Sequence, residues 1–264
     1  TWSDRLRSAL LARYEPADAL QLAARYSNIF PLSYQSEIDP ADCIDDIVDL
    51  EALRADPSAL RLNLQRRPGA PMARLHLKIV KNGEPIPISD LLPMMENFGL
   101  RVLSEHPYLL NLSGGGCIQD FEFEHRDGRS LDIERIEPRF VEAFLAVWRG
   151  DVENDGFNRL LLATELDARE ISVLRAICRY LLQTGLPFSQ PYMERVLSAN
   201  ASIAQNFLRL FDLQFQPQDP GGRGAKIQRM RGTLTSALDG VTSADDDRIL
   251  RAFLAVIDAM LRTN

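Results

Sequence analysis

Residues 140–182 read FVEAFLAVWRGDVENDGFNRLLLATELDAREISVLRAICRYLL. Apolar side chains recur in this stretch three and four positions apart, which is the spacing of one face of an α-helix. Asp167 and Glu170 have the spacing of a capping box at a helix start, and Gly185 with Pro187 ends that helix. The pattern predicts a helical second half, with four further helices at Pro191–Leu197, Ala201–Phe215, Lys226–Leu238 and Asp245–Leu261.

The last of these helices is apolar on two faces. Ile249 and Phe253 lie on one face, and Leu250 and Leu254 lie beside them. So wide an apolar surface predicts burial from more than one direction, as in the central helix of a bundle. Residues 216–224, upstream of it, read QPQDPGGRG, and this composition predicts a mobile loop.

Upstream of residue 140, the apolar residues recur at a different spacing. Leucines alternate with polar residues over residues 60–65, and apolar residues alternate in the same way over 74–79, which predicts two strands with one apolar face each. Two more strands and two helices are predicted at Arg101–Asn111, Cys117–His125, Ser89–Asn97 (capped by Ser89) and Ile136–Arg149. This order becomes a ferredoxin-like βαββαβ unit if the strand at Leu60 occupies the edge that a last strand usually fills.

The first residues of the chain are predicted to be helical. Leu6, Leu10 and Tyr14 recur at helical spacing, and a later helix over residues 41–53 begins with acidic residues, which suit the positive end of a helix dipole. The predicted fold class is therefore α+β, with a ferredoxin-like antiparallel sheet and helices followed by an all-α helical bundle. Three domains are predicted: N-terminal helices over 1–56, an α+β domain over 57–150 and a helical domain over 151–264.

Composition excludes several classes of protein. The net charge of −7 disfavours a nucleic-acid-binding protein, which usually carries a basic field. The apolar runs are too short to cross a membrane and the chain opens without a signal peptide, so a cytoplasmic location is expected. Cys43, Cys117 and Cys178 lack CxxC spacing and predict reduced, partly buried thiols. The start at Thr1 and the stop after a helical pattern suggest a piece of a longer protein.

Motifs for catalysis, cofactors and metals are not found in the sequence. The glycines at 114–116 lie between two strands, so no helix N-terminus follows to hold a dinucleotide phosphate. Residues 221–226, GGRGAK, have the wrong spacing for a phosphate-binding loop, and an inter-helix loop is the better interpretation. His76, His106 and His125 do not cluster in the sequence. No catalytic, cofactor-binding or metal-binding residue is therefore predicted.

Other acidic residues have structural explanations. Residues 245–247 are all Asp, and they predict a helix N-terminus with Ser243 as its cap. Glu122 and Glu124 are predicted to pair with cations across the solvent face of the sheet. The candidate cations are Arg61, Arg74 and Lys78.

Trp148 precedes a polar turn between two helices, at residues 154–159. One interpretation is that Trp148 anchors the core and that the Asn and Asp side chains cap the next helix. Burial of Trp148 would predict a loss of ~3–5 kcal/mol on Trp148→Ala. The alternative interpretation is a hinge that relays the state of the sheet domain to the helices.

Two stretches carry a resemblance to known families. Residues 140–197 and the closing DDDRILRAFLAVIDAMLRTN, residues 245–264, resemble the large-subunit, NAD-specific bacterial glutamate dehydrogenases in the region just before their catalytic domain. Residues 82–105, NGEPIPISDLLPMMENFGLRVLSE, resemble an ACT domain. The resemblance implies a parent enzyme that uses NAD to convert glutamate to 2-oxoglutarate and ammonia. It also implies homo-oligomers and contact with a catalytic domain of the same chain, on which part of the last helix's apolar stripe would pack.

Three functions compete at this point. The first is an architectural or regulatory segment without catalytic residues. The second is an ACT module that binds an amino-acid effector, for which the resemblance implies Asn82, Gly83, Ser89 and Asp90, in a flexible loop and at a helix N-terminus. The third, a stand-alone ferredoxin-like RNA-binding module, is disfavoured because Phe121 and Phe123 are predicted on the core face of the sheet.

Overall fold

The computed structural model describes residues 1–67, 69–128, 130–215 and 222–261. The chain forms two compact units, the first made of residues 1–92 and 100–137 and the second of residues 93–99 and 138–264. The predicted three-domain division at residues 56 and 150 stays a prediction. Among the described residues, no helix combines the length and the apolar character of a membrane span.

The first unit contains four N-terminal helices and a four-stranded sheet. The helices are α1 (Trp2–Arg13), α2 (Pro16–Tyr26), α3 (Leu32–Glu37) and α4 (Cys43–Ala55). The strands are β1 (Arg61–Gln65), β2 (Arg74–Asn82), β3 (Leu100–Leu109) and β4 (Gly116–His125). Helices α5 (Ile88–Asn97) and α6 (Ile133–Arg149) each contain a proline, and two of the three boundaries between the units fall immediately before Pro93 and Pro138.

The strands lie in the order β1-β2-β4-β3, and all neighbours are antiparallel. Since β1 lies on the outer side of β2, it occupies the edge that the last strand fills in a βαββαβ unit. The predicted fold class is therefore confirmed, with the sheet in its ferredoxin-like order. β3 carries a register shift between Val102 and Ser104 and forms the opposite edge.

The two faces of the sheet differ in chemistry. Leu75 pairs with Phe123 and Leu77 with Phe121, and all four side chains are buried on one face, as predicted. This burial removes Phe121 and Phe123 as exposed base-stacking residues. The other face carries apolar residues at one end, and they share a core with the N-terminal helices. Members of this core include Leu6, Leu10, Tyr34, Ile47, Leu50, Val80, Tyr108 and Ile118.

The second unit is helical throughout its regular elements. A short 3₁₀ turn at Gly156–Asn158 precedes α7 (Arg159–Ala163), α8 (Ala168–Gln183), α9 (Gln190–Ala199), α10 (Ala201–Phe215), α11 (Arg223–Asp239) and α12 (Ala244–Ala259). The predicted capping box of Asp167 and Glu170 begins α8, and Ser243 caps α12. Phe207 and Phe253 are fully buried and stack with ring centroids 6.3 Å apart.

Several predicted boundaries differ from the structure, among them those of α5, α11 and α12. Ser89 lies inside α5 and does not precede it, because the helix begins at Ile88. The helix α11 begins at Arg223, so the end of the predicted loop and of the GGRGAK segment is helical. Residues 216–221 of that loop lie outside the described residues. Helix α12 ends at Ala259, so Leu261, the predicted last residue of this helix, is exposed beyond its observed end.

The prediction that Trp148 anchors the core is wrong. Trp148 is 39% exposed, whereas Phe144 on the same helix is fully buried. The buried face of α6 is formed by Phe140, Phe144 and Val147, which recur at positions i, i+4 and i+7. Trp148 follows Val147 by one position, about 100° around the helix, and therefore lies at the margin of this face.

Trp148→Ala is accordingly expected to lower the free energy of unfolding by about 1–2 kcal/mol, since 39% of the residue already contacts solvent. Phe144→Ala, the matched control on α6, is expected to cost ~3–5 kcal/mol because it opens a cavity. Urea unfolding of both variants measures the difference. Similar losses for the two variants would show that Trp148 contributes to the core after all.

Candidate ligand and interface sites

A buried ion pair lies between α4 and β2. Lys78 Nζ donates hydrogen bonds to both carboxylate oxygens of Asp46, at 3.0 and 2.8 Å. Tyr34 on α3 donates its hydroxyl hydrogen to the same carboxylate. Lys78 is 3% exposed and Asp46 is 1% exposed. The pair therefore joins the helical part of the first unit to the middle of the sheet, away from solvent.

A second buried carboxylate lies next to this pair, because Asp120 on β4 is the register partner of Lys78. His76 Nδ1 lies 2.9 Å from Asp120 Oδ1, and Arg67 donates to the other carboxylate oxygen. His76 and Asp120 are 6% and 1% exposed. Asp46, Lys78, Asp120, His76 and Arg67 are called the sheet charge cluster below.

The two carboxylates of the cluster differ in their pKa shifts. Burial raises the pKa of Asp46, and the charge and hydrogen bonds of Lys78 oppose this shift only in part. Burial alone would also raise the pKa of Asp120. The hydrogen bond with His76 and the charge of Arg67 outweigh burial and lower that pKa below its ordinary value. Asp120 is therefore ionised at neutral pH.

The predicted pairing on a solvent face of the sheet is confirmed only for Arg74, which lies 3.1 Å from Glu122. Glu124 pairs with Arg101, and Lys78 pairs with Asp46. The remaining candidate, Arg61, binds Asp49 of α4 at 2.9 Å. The prediction was wrong for Lys78 and Arg61 because α4 packs along β2 and supplies their partners, and for Glu124 because its register partner on β3 is Arg101.

The sequence contains a signal that this face of the sheet is covered. Val80 and Ile118 are apolar, yet they alternate in phase with Lys78 and Asp120 on the predicted polar face. A mixed polar and apolar face indicates partial burial. Asp46 is one of the acidic residues at the start of α4 that suit the helix dipole, but the structure buries it, whereas the preceding Asp45 is exposed.

The predicted effector residues lie at two ends of the loop between β2 and α5. Asn82 ends β2, and its amide nitrogen donates to the Pro57 carbonyl oxygen at 3.0 Å. Gly83 follows with a φ of 78°, a conformation that favours glycine. Ser89 and Asp90 are exposed in the first turn of α5, and Ser89 Oγ lies 3.2 Å from Asp90 Oδ1.

Some backbone groups at the start of α5 already have hydrogen-bond partners within the protein. The Asp90 amide donates to the Pro87 carbonyl oxygen at 3.0 Å, so it is not one of the free amides that the effector hypothesis requires. Lys81 Nζ donates to the Asn82 carbonyl oxygen at 2.9 Å and also contacts that of Glu84. Much of the polar surface of this loop is therefore bound within the protein.

Gln119 holds the same loop and was missed by sequence reasoning. Its side chain is fully buried, accepts a hydrogen bond from the Ile86 amide at 2.8 Å and donates to the Ile86 carbonyl oxygen at 2.9 Å. It also donates to Glu105 Oε1 at 2.7 Å. A polar residue in phase with Phe121 and Phe123 on the apolar face is the signal that identifies such a residue.

The polar turn of the second unit is fixed by a buried arginine. Arg175 is 2% exposed and binds both carboxylate oxygens of Asp155, at 2.7 and 2.9 Å. It also donates to Asn158 Oδ1 at 3.0 Å. Asp155 caps the 3₁₀ turn, as the capping interpretation predicted. The hinge interpretation of this turn stays a prediction.

The cysteines are free and buried, as predicted. Burial raises the pKa of Cys117 to about 11 and that of Cys43 and Cys178 to about 12. These thiols are therefore protonated at neutral pH and poor nucleophiles. Among the residues that the structure describes, no group of three or more His, Cys, Asp or Glu side chains is placed to hold a metal ion.

Three family models match this chain in succession. Residues 9–53 match helical motif 2 of glutamate dehydrogenase, residues 59–136 match its ACT3 domain, and residues 152–217 match its helical motif 3. The chain belongs to the glutamate dehydrogenase family. The sheet charge cluster thus joins residues of helical motif 2 to residues of the ACT3 domain, and the Arg175 network lies within helical motif 3.

Curated relatives of the family agree with this assignment. NAD-specific glutamate dehydrogenases of Halomonas elongata, Pseudomonas aeruginosa and Mycobacterium tuberculosis are 36%, 34% and 33% identical to it over the whole chain. The chain spans 16% of the length of each relative. The predicted resemblance to these enzymes and to an ACT domain is confirmed.

Lys78→Met is expected to lower the free energy of unfolding by ~3–5 kcal/mol, because it leaves the Asp46 carboxylate buried without its cation. Arg74→Met is the matched control: the Arg74–Glu122 pair is partly exposed, so its loss is expected to stay below about 1 kcal/mol. The double variant Lys78→Met/Asp46→Leu is expected to recover much of the stability. Urea unfolding checks all three, and equal losses for the two single variants would contradict the argument.

Asp120 predicts a pH-dependent part of the stability. Because its folded-state pKa is lowered, its ionised form stabilises the fold above the unfolded-state pKa of about 3.9, and this contribution is lost as pH falls through the folded-state pKa. Asp120→Asn is therefore expected to lower the free energy of unfolding at pH 7, and the difference is expected to shrink below about pH 4.

Urea unfolding at pH 7, 5 and 3 measures this difference for the Asp120 variant. The control is Asp18→Asn, which removes an exposed carboxylate on α2 and is expected to change little at any pH. A loss for Asp120→Asn that stays constant from pH 7 to pH 3 would refute the assignment.

Proposed function

We propose that this chain is a non-catalytic architectural segment of an NAD-specific glutamate dehydrogenase and lies before the catalytic domain of that enzyme. The whole enzyme would convert L-glutamate, NAD and water to 2-oxoglutarate, ammonia and NADH. The relatives' names and the 16% of their length that the chain spans support its membership of a longer NAD-specific glutamate dehydrogenase. NAD would bind the parent enzyme outside this segment, in a cytoplasmic homo-oligomer.

The observation that carries the architectural role is the internal pairing of the polar groups where an ACT domain would offer them to a ligand. Gln119 binds both the amide and the carbonyl of Ile86, and Asn82 binds the Pro57 carbonyl. The polar face of the sheet is likewise occupied by the sheet charge cluster. Groups that already have buried partners gain little from a ligand, because a new hydrogen bond replaces an existing one.

A second candidate function is the amino-acid effector module, and one observation favours it. Ser89 and Asp90 are exposed at the start of α5, where the positive end of the helix dipole favours an anion. Against this role, the Asp90 carboxylate itself occupies the helix start and would repel the carboxylate of an amino acid. The architectural role is therefore the better supported of the two.

The 264-residue chain is expected to reduce no NAD in the presence of glutamate, as followed by absorbance of NADH. Its thermal unfolding is expected to stay unchanged with NAD, glutamate, 2-oxoglutarate and a panel of amino acids. A ligand present at 100 times its dissociation constant would add about 2.7 kcal/mol to the free energy of unfolding, which gives a clear shift. Reduction of NAD by this chain would overturn the non-catalytic assignment.

A shift with one amino acid would favour the effector module, and two variants would locate its site. Ser89→Ala would abolish that shift if the ligand binds at α5. Ser33→Ala is the matched control, because Ser33 is also exposed and is also the second residue of a helix, α3. A shift that persists in Ser89→Ala would place the ligand elsewhere, and loss of the shift in both variants would show that the effect is not specific to α5.

A further inference from the structure

An apolar groove of about 880 Å³ lies in the second unit, lined by α8, α12 and the end of α10. Ile177 and Leu181 are buried residues of its lining, whereas Ala176, Ala255 and Ala259 are exposed. Tyr180 also lines it and is 55% exposed. An open apolar groove of this size marks either a ligand-binding groove or a surface that contacts another element.

The shape of the lining indicates what kind of element fits. Ala252, Ala255 and Ala259 recur on α12 at helical spacing, and Ala176 faces the same groove from α8. Small side chains let the backbone of a third helix approach two packed helices closely, with its larger residues between them. An amphipathic helix that presents apolar residues three and four positions apart satisfies these conditions.

The charge on the groove adds a second requirement. Arg169 lines the groove in the first turn of α8 and is exposed. It makes no ion pair within the described ranges 1–67, 69–128, 130–215 and 222–261. An occupant with a carboxylate beside Arg169 would complete an ion pair at the edge of the apolar contact.

A second copy of this chain, packed groove to groove, would fill this groove poorly. Twofold pairing would place the same surface on both sides of the interface, so that one concave lining would face another and the space would stay unfilled. The relatives, by contrast, contain about six times the length of this chain, since it spans 16% of each. A helix on the same polypeptide also has a high effective concentration, in the millimolar range for short linkers.

We propose that the α8–α12 groove binds an amphipathic helix from the part of the enzyme that lies outside this segment, with a carboxylate of that helix beside Arg169. The proposal rests on the function proposed above, in which the segment belongs to a longer enzyme chain. It assigns helical motif 3 a docking surface toward the rest of the enzyme.

The test compares the reactivity of one engineered thiol in the 264-residue chain and in the full-length enzyme. Ala255→Cys places an exposed thiol on the groove, and Ala225→Cys places one on the exposed start of α11, outside it. The three native cysteines of the chain are buried, so they compete little for a maleimide. Each labelled site is mapped by peptide mass spectrometry.

The Ala255→Cys thiol is expected to react at least about tenfold more slowly in the full-length enzyme than in the 264-residue chain, because a docked helix covers it. The Ala225→Cys thiol is expected to react at similar rates in both. Equal rates for Ala255→Cys in the two proteins would overturn the proposal, while leaving the non-catalytic role of the segment untouched.

A maleimide–benzophenone reagent, attached through the Ala255→Cys thiol and then illuminated, identifies the occupant in the full-length enzyme, because the benzophenone inserts into C–H bonds of the residues that cover it. A cross-linked peptide from outside the 264-residue segment supports the proposal. A cross-linked peptide from within the segment would mean that a second copy covers the groove, and it would overturn the proposal.

Discussion

The packing of the N-terminal helices on the sheet depends on the buried ion pair between Lys78 and Asp46. Two charges in a nonpolar interior cost several kcal/mol each in lost hydration, and only well-placed partners offset that cost. Lys78 reaches both oxygens of Asp46, while Tyr34 donates to the same carboxylate. Any other placement of α4 along β2 would leave a charge buried without a partner. The pair therefore selects one docking geometry more than it adds stability.

The apolar core around the pair is less selective. Residues such as Leu50, Val80 and Ile118 bury their surface in any close packing of helices on the sheet, because apolar contact has no preferred direction. The second carboxylate, Asp120, adds a further geometric requirement through His76 and Arg67. Apolar contact thus supplies most of the driving force in the first unit, and the sheet charge cluster determines the register of the contact.

How much could be predicted from the sequence follows from the same distinction. Alternation at Leu75 and Leu77 and the capping pair at Asp167 and Glu170 are local patterns, so the strands, the helices and the sheet order were predictable. The partner of Lys78 was not, because Asp46 lies 32 residues away on another element and no local pattern indicates which carboxylate a buried lysine will meet. The prediction that Trp148 is buried was wrong for a related reason. Helical spacing locates the apolar stripe of a helix but not where the buried part of that stripe ends.

The same logic applies to the candidate sites. The place of Asn82 and Ser89 in a motif predicts an effector site, yet a ligand site requires polar groups without partners, and which groups have partners depends on the tertiary structure. Gln119 shows this directly. It lies on a strand 33 residues further along the chain than Ile86, and its buried side-chain amide forms hydrogen bonds with both backbone groups of Ile86. In both units the buried polar side chains bind other parts of the protein, at Lys78 and Gln119 in one and at Arg175 in the other. A segment whose specific interactions are directed inward is suited to hold a fixed shape, and the α8–α12 groove is then the surface through which that shape would act on the rest of an enzyme.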